Sequence, residues 1–165
     1  MAKQLGYACI NMTLGEEGIS CNRSMIRRTF NAKGIDYASE LIVSNMKSLL
    51  QLIHWNNEND IKVYRMSSSM FPWMSEYEFK DLPDYQEICD LLQAIGKLAI
   101  GNNQRLSFHP GQFCVLASPN ENVVLNAMNE LNKSAQIMDL MGLPNSRMSK
   151  INIHVGGAYG DKKSA

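Results

Sequence analysis

Two of the three histidines, His109 and His154, stand where short apolar runs give way to glycine-containing turns. The first lies in RLSFHPGQF at 105–113 and the second in KINIHVGG at 150–157. Pro110 lacks an N–H and cannot continue a strand ladder. Gly111 then permits a sharp turn that sets Gln112 and Phe113 at a loop tip. If the two runs are parallel strands, both imidazoles open on the carboxyl-end face, where α/β sheets and barrels do their chemistry. Imidazoles from adjacent strand ends can reach one divalent ion at about 2.0–2.1 Å, as in zinc sites. The competing reading is that each ring donates to a nearby carbonyl and closes its own turn. The same face would gather Asn11 and the serines at 67–69. His54, beside Trp55 inside a helical pattern, reads as structural. Trp73 and Tyr77 suit either stacking on a base or a lid over the site. The basic stretch from Arg23 to Lys33 suits either phosphates or solvent.

These residues need a frame that brings strand ends together. Residues 5–10 form a nearly continuous apolar run and read as a buried strand. Residues 11–34 are polar and glycine-bearing and read as a long loop. Asp36 can cap a helix through Leu41, Ile42, Met46, Leu49, Leu50 and Ile53, broken at 56–60. A second strand is expected at 61–66, an aromatic loop at 70–81, and a helix from Pro83 to Ile100. The third strand is 105–108. A third helix follows Ser118 as cap and Pro119 as first position, and Gly142 stops it. The fourth strand is 151–155, and 156–165 reads as loop. The order β-α-β-α-β-α-β, with apolar and weakly alternating strands, predicts an α/β chain with a parallel sheet, one domain over 1–165.

Composition excludes several classes. At 165 residues with 45% hydrophobic content the chain can bury one real core. Sixteen basic residues balance sixteen acidic ones, so net charge lends no support to a nucleic-acid partner. No apolar run approaches the ~18 residues of a membrane span. Four cysteines show no C-x-x-C pair, and Cys9 and Cys114 read as small buried hydrophobes. With no signal-peptide pattern, reduced thiols and a cytoplasmic location are expected.

Four stretches, LGYACIN at 5–11, YRMSSS at 64–69 with Pro72, LSFHPGQF at 106–113 and INIHVGGAYGDK at 151–162, carry a resemblance. In that order they resemble the N-terminal part of the UV damage endonucleases, relatives of endonuclease IV in the xylose-isomerase-like barrel group. The resemblance implies a (β/α)8 TIM-barrel type, of which this chain would supply about the first four units. It implies a metal-dependent DNA repair enzyme that nicks double-stranded DNA 5′ of UV photoproducts. His109 and His154 would then be metal ligands, with Mn2+ the expected ion and Zn2+ or Mg2+ possible in its place. Gln112 and Phe113 would probe the lesion, Tyr7 and Asn11 would line the pocket for extruded nucleotides, and Lys162 would join the DNA-binding set. Flipping is cheapest where a lesion has weakened stacking, and an apolar wedge can fill the gap. Relatives usually carry a histidine near the position of Ser75 and Glu76, so Glu76 becomes the candidate oxygen ligand there.

A full barrel of this type needs roughly 250 residues, so the expectation is a half-barrel, inactive alone. Its partners would be a complementary C-terminal half or a second copy. Two alternatives compete: a sugar isomerase or epimerase of the same barrel group, and a non-catalytic half-barrel that binds damaged DNA or a complementary fragment.

Overall fold

A computed structural model describes residues 3–153. Four strands, β1 (Gly6–Ala8), β2 (Val63–Met66), β3 (Arg105–Phe108) and β4 (Lys150–Ile151), form one sheet in the order β1-β2-β3-β4. All three pairings are parallel. The crossovers are α1 (Met12–Glu16) with α2 (Arg27–Glu58), then α3 (Tyr85–Gly101), then α4 (Glu121–Leu140). Sequential parallel strands joined through helices are the sheet that the strand and helix spacing predicts, and they match the partial (β/α)8-type fold that the resemblance implies.

Alternation along the strands assigns the two faces of the sheet. Tyr64 and Met66 on β2 and Leu106 and Phe108 on β3 are aligned in register and essentially sealed from solvent. They meet the apolar stripes of the helices: Ile42, Leu49 and Ile53 of α2, and Ile88, Leu92 and Ile95 of α3. These fall at the 3/4 spacing that one helix face requires. The opposite, concave face carries Gly6, Ala8, Val63, Arg65, Arg105 and Ser107. β1 is therefore an edge strand with Gly6 and Ala8 exposed, not the buried strand expected from its composition. An apolar run reports what a strand can bury, whereas its neighbours decide what it does bury.

Residues 11–34 are not one long loop. Asn11 caps the short α1, accepting from the Leu14 N–H at 3.0 Å, and α2 begins at Arg27. α2 is in fact two helices run together at Gly34, and the longer one starts just after it, next to Asp36, where the sequence places a helix start. Gly34, at φ 67° and ψ −156°, is non-helical and separates the two; its positive φ is one that glycine adopts without strain. The early turns hold because Phe30 packs on Trp73 and Tyr77, at 6.0 and 6.4 Å between ring centroids. Gly96 of α3 marks another close approach, since a Cβ there would lie 1.7 Å from the Met141 carbonyl oxygen. Asn120, not Ser118, caps α4, and Gly142 takes φ 68° just beyond it.

Candidate active-site rim

The loops leaving the carboxyl ends of β1, β2 and β3 converge on one rim. An open groove of about 390 Å³ runs between them, lined by Ser24, Ser68, Ser69, Trp73, Gly111 and Glu130 among others. Residues from all three loops and from α4 thus meet where parallel topology says they should.

His109 follows β3 directly and is half-buried. Its Nδ1 lies 2.8 Å from the Pro110 carbonyl oxygen. A carbonyl can only accept, so that bond places the hydrogen on Nδ1 and the lone pair of the neutral ring on Nε2. This is the arrangement in which a backbone carbonyl orients a metal-binding histidine. The ring does bond a carbonyl, as the turn-closing reading of the motif requires. His154 and Lys162 lie outside the described residues.

Beyond His109 the chain makes a tight turn, with the Cys114 N–H donating to the Gly111 carbonyl at 2.9 Å. Gln112 is exposed and Phe113 is 81% exposed, at the loop tip where the Pro110–Gly111 turn is expected to set them. Two residues of α4 anchor the turn from behind. Glu130 accepts the Gly111 N–H at 2.6 Å, and the Ala127 carbonyl accepts from the Cys114 thiol at 3.5 Å. Burial, assisted by the Glu130 charge, pushes the Cys114 thiol up to about 11. It is therefore a protonated donor at neutral pH. Cys9, by contrast, is only half-buried and adopts φ 60°.

Tyr7 and Asn11 are brought together, although not as bare pocket walls. The Asn11 amide donates to the Tyr7 hydroxyl at 2.9 Å, which donates to Asn56 Oδ1 at 2.7 Å. Tyr7 aligns with Tyr64, so it faces the helix layer, edge-on to that ring at 5.2 Å. Burial raises its phenol above the ordinary value. The pair sets the course of the loop that exposes Ile10 and Met12 beside it.

Glu76 has a cation for a partner, but that cation is Arg27, at 2.7 Å. Arg27 also lies over the Trp73 ring, 4.0 Å from its centroid. The guanidinium holds the Glu76 carboxyl below the usual carboxylate range. Trp73 and Tyr77 are also engaged. Trp73 donates to the Met25 carbonyl at 3.0 Å, and Tyr77, buried, donates to the Pro72 carbonyl at 2.8 Å. The loop at 70–81 is a small aromatic core of its own, in which Tyr77 is buried and Trp73, partly buried, lines the groove. Among the described residues no three His, Cys, Asp or Glu side chains come together as a metal cage. His109 fits as one ligand, and a cage would need others from beyond those residues.

Three participants were invisible in the sequence. Glu130 is an ordinary polar position of an amphipathic helix until the turn is seen against it. Arg65 and Arg105 lie on the concave face, and their buried Nε atoms have no hydrogen-bond partner among the described residues. Alternation marks them as sharing a face, but only the register shows that this face is opposite the helices.

Comparison with known proteins places the chain in a family. The family described as UV-endonuclease UvdE matches residues 3–165. The chain belongs to the UvdE family. It is 36% identical over 98% of its length to a putative UV-damage endonuclease of Acanthamoeba polyphaga mimivirus, covering 49% of that protein. It is 34% identical over 97% of its length to a UV-damage endonuclease of Schizosaccharomyces pombe, covering 27% of it. The crystal structure of SacUVDE matches with a TM-score of 0.84 at 28% identity, over 98% of this chain and 52% of that one. The chain thus spans about half the length, or less, of these UvdE relatives. None of them bears the name of a sugar isomerase or epimerase. No helix among the described residues is long and apolar enough to cross a membrane.

Proposed function

We propose that this chain forms the lesion-reading half of a UvdE-type barrel, which nicks duplex DNA 5′ of UV photoproducts by metal-assisted phosphodiester hydrolysis. The observation that carries the reading is the turn after His109, which projects Phe113 into solvent while its neighbours stay anchored. An exposed phenylalanine on a fixed turn beside a strand-end imidazole suits a wedge that enters a duplex next to the scissile phosphate. Phe113 fills the space left by the damaged bases, and Gln112 offers its amide to the orphaned partner strand. Exposed Ile10 and Met12 border the extruded nucleotides, with Tyr7 and Asn11 holding their loop. Ser24, Ser68 and Ser69 give the groove hydroxyls suited to phosphate oxygens.

His109 and His154 are assigned to a divalent ion, Mn2+ before Zn2+ or Mg2+. The assignment rests on the orienting carbonyl and strand-end position of His109 and, for His154, on its sequence motif. When bound, such an ion lowers the pKa of a water and neutralises charge on the attacked phosphate. Lys162 is assigned to phosphate contact. Glu76 is given to Arg27 instead.

Strands closing on the concave face, covalently continuous or supplied in trans by a complementary half, complete the reading. Arg65 and Arg105 support it, because buried guanidinium nitrogens on an inner barrel face call for carboxylates from opposing strands.

Incubation with a duplex carrying one cyclobutane dimer and Mn2+ tests the proposal. Preference for damaged over intact duplex is expected from the chain alone, with incision once a complementary fragment is added. No preference under either condition would sink the repair assignment. Incision by the unaided chain would sink the need for closing strands.

A further inference from the structure

A turn at 111–114 with no regular structure must still hold one shape if Phe113 is to act as a wedge. Its two ends are tied to residues three apart on α4, Glu130 to the Gly111 N–H and Ala127 to the Cys114 thiol. The first tie is short, at 2.6 Å, and charge-assisted, which makes it the stronger. A Cβ at position 111 would lie 3.3 Å from Glu130 Oε1, a tight contact that the carboxylate would have to ease by a few tenths of an ångström. The neighbouring loop is held by different residues of the same helix. Asn129 donates to the Ser75 carbonyl at 3.2 Å, and Lys133 reaches Glu78 at 2.7 Å.

We propose that Glu130 is the positioning residue of the tip: its carboxylate clamps the Gly111 amide so that Gln112 and Phe113 protrude in a preset direction. A preset tip spares the ordering cost otherwise met on DNA binding. This rests on the reading of 112–113 as a lesion probe, but the clamp itself is testable without DNA.

Amide hydrogen exchange, read residue by residue by NMR on the full chain, decides it. In Glu130→Ala the Gly111 amide should exchange roughly tenfold faster or more, while Ile137 and Met138 in the same helix keep their rates. Glu130→Gln retains a carbonyl acceptor and should stay within about threefold of the parent. Asn129→Ala, which loosens the other loop, should leave Gly111 unchanged. Unaltered Gly111 exchange in Glu130→Ala, or equal acceleration in both Glu130 variants, would overturn the clamp. On DNA, Glu130→Ala should shrink the preference for a dimer-containing duplex, leaving intact-duplex affinity in place. A loosened turn with undiminished preference would overturn the positioning role. A parent chain with no lesion preference would overturn the proposed function, while the exchange data would still decide the clamp.

Discussion

Two loops on the same rim use aromatic residues in opposite ways. The loop after β2 buries Phe71, Tyr77 and Phe79, whereas the loop after β3 leaves Phe113 almost fully exposed. Both contain proline, and both are tied to α4. The first is long enough for three 3-10 turns, at Ser68–Met70, Met74–Glu76 and Phe79–Asp81, and it folds its rings onto one another and onto Phe30. The second, at 109–120, is shorter, and its tip turns at 111–114 with no ring packed on Phe113 among the described residues. Loop length and available neighbours, more than residue type, separate a miniature core from a probe.

The sharpest way to test that contrast is to remove one ring from each loop. Phe71 is 1% exposed and lies 5.1 Å from Phe79 between centroids. Phe71→Ala should cost about 3–5 kcal/mol, seen as a lower urea midpoint with loss of the loop's near-UV signal. Tyr77→Phe removes the donor to the buried Pro72 carbonyl and should cost about 1–3 kcal/mol in the same assay. A smaller, pH-dependent effect belongs to Glu78, whose carboxyl is held low by its bond to Lys133. A carboxyl lowered by folding stabilises above its unfolded pKa, and the contribution fades as pH falls through the folded one. Glu78→Gln should therefore flatten the acid side of the stability curve while changing little in its shape at alkaline pH. Phe113→Ala comes last in stability, within about 0.5 kcal/mol. It should nonetheless weaken discrimination between dimer-containing and intact duplex, measured by competition binding; equal loss on both would refute the wedge.

Much of the frame was legible because its signals are local. β3 falls where Arg105 to Phe108 alternate ahead of Pro110, and α3 and α4 follow their apolar stripes to within a turn. The errors cluster where a long-range contact overrules local chemistry. Gly34 does break the chain as its type suggests, but the residues from Arg27 up to it, which read as loop, are helical, with Phe30 packed on Trp73. Glu76, the candidate ligand that the resemblance suggests, pairs with Arg27, 49 residues away in the chain, a contact that no local spacing shows.

The amino-acid order determined where strands stop and which residues their ends present. Proline, glycine and apolar period act within a few residues, so His109, Gln112 and Phe113 could be singled out unaided. The tertiary structure alone decided which of those residues were already engaged. It turned Tyr7 toward Asn56, gave Glu76 to Arg27, set Glu130 behind the tip, and left Arg65 and Arg105 on the open face. Such pairings depend on distances closed by the whole fold, and no spacing within a single stretch encodes them.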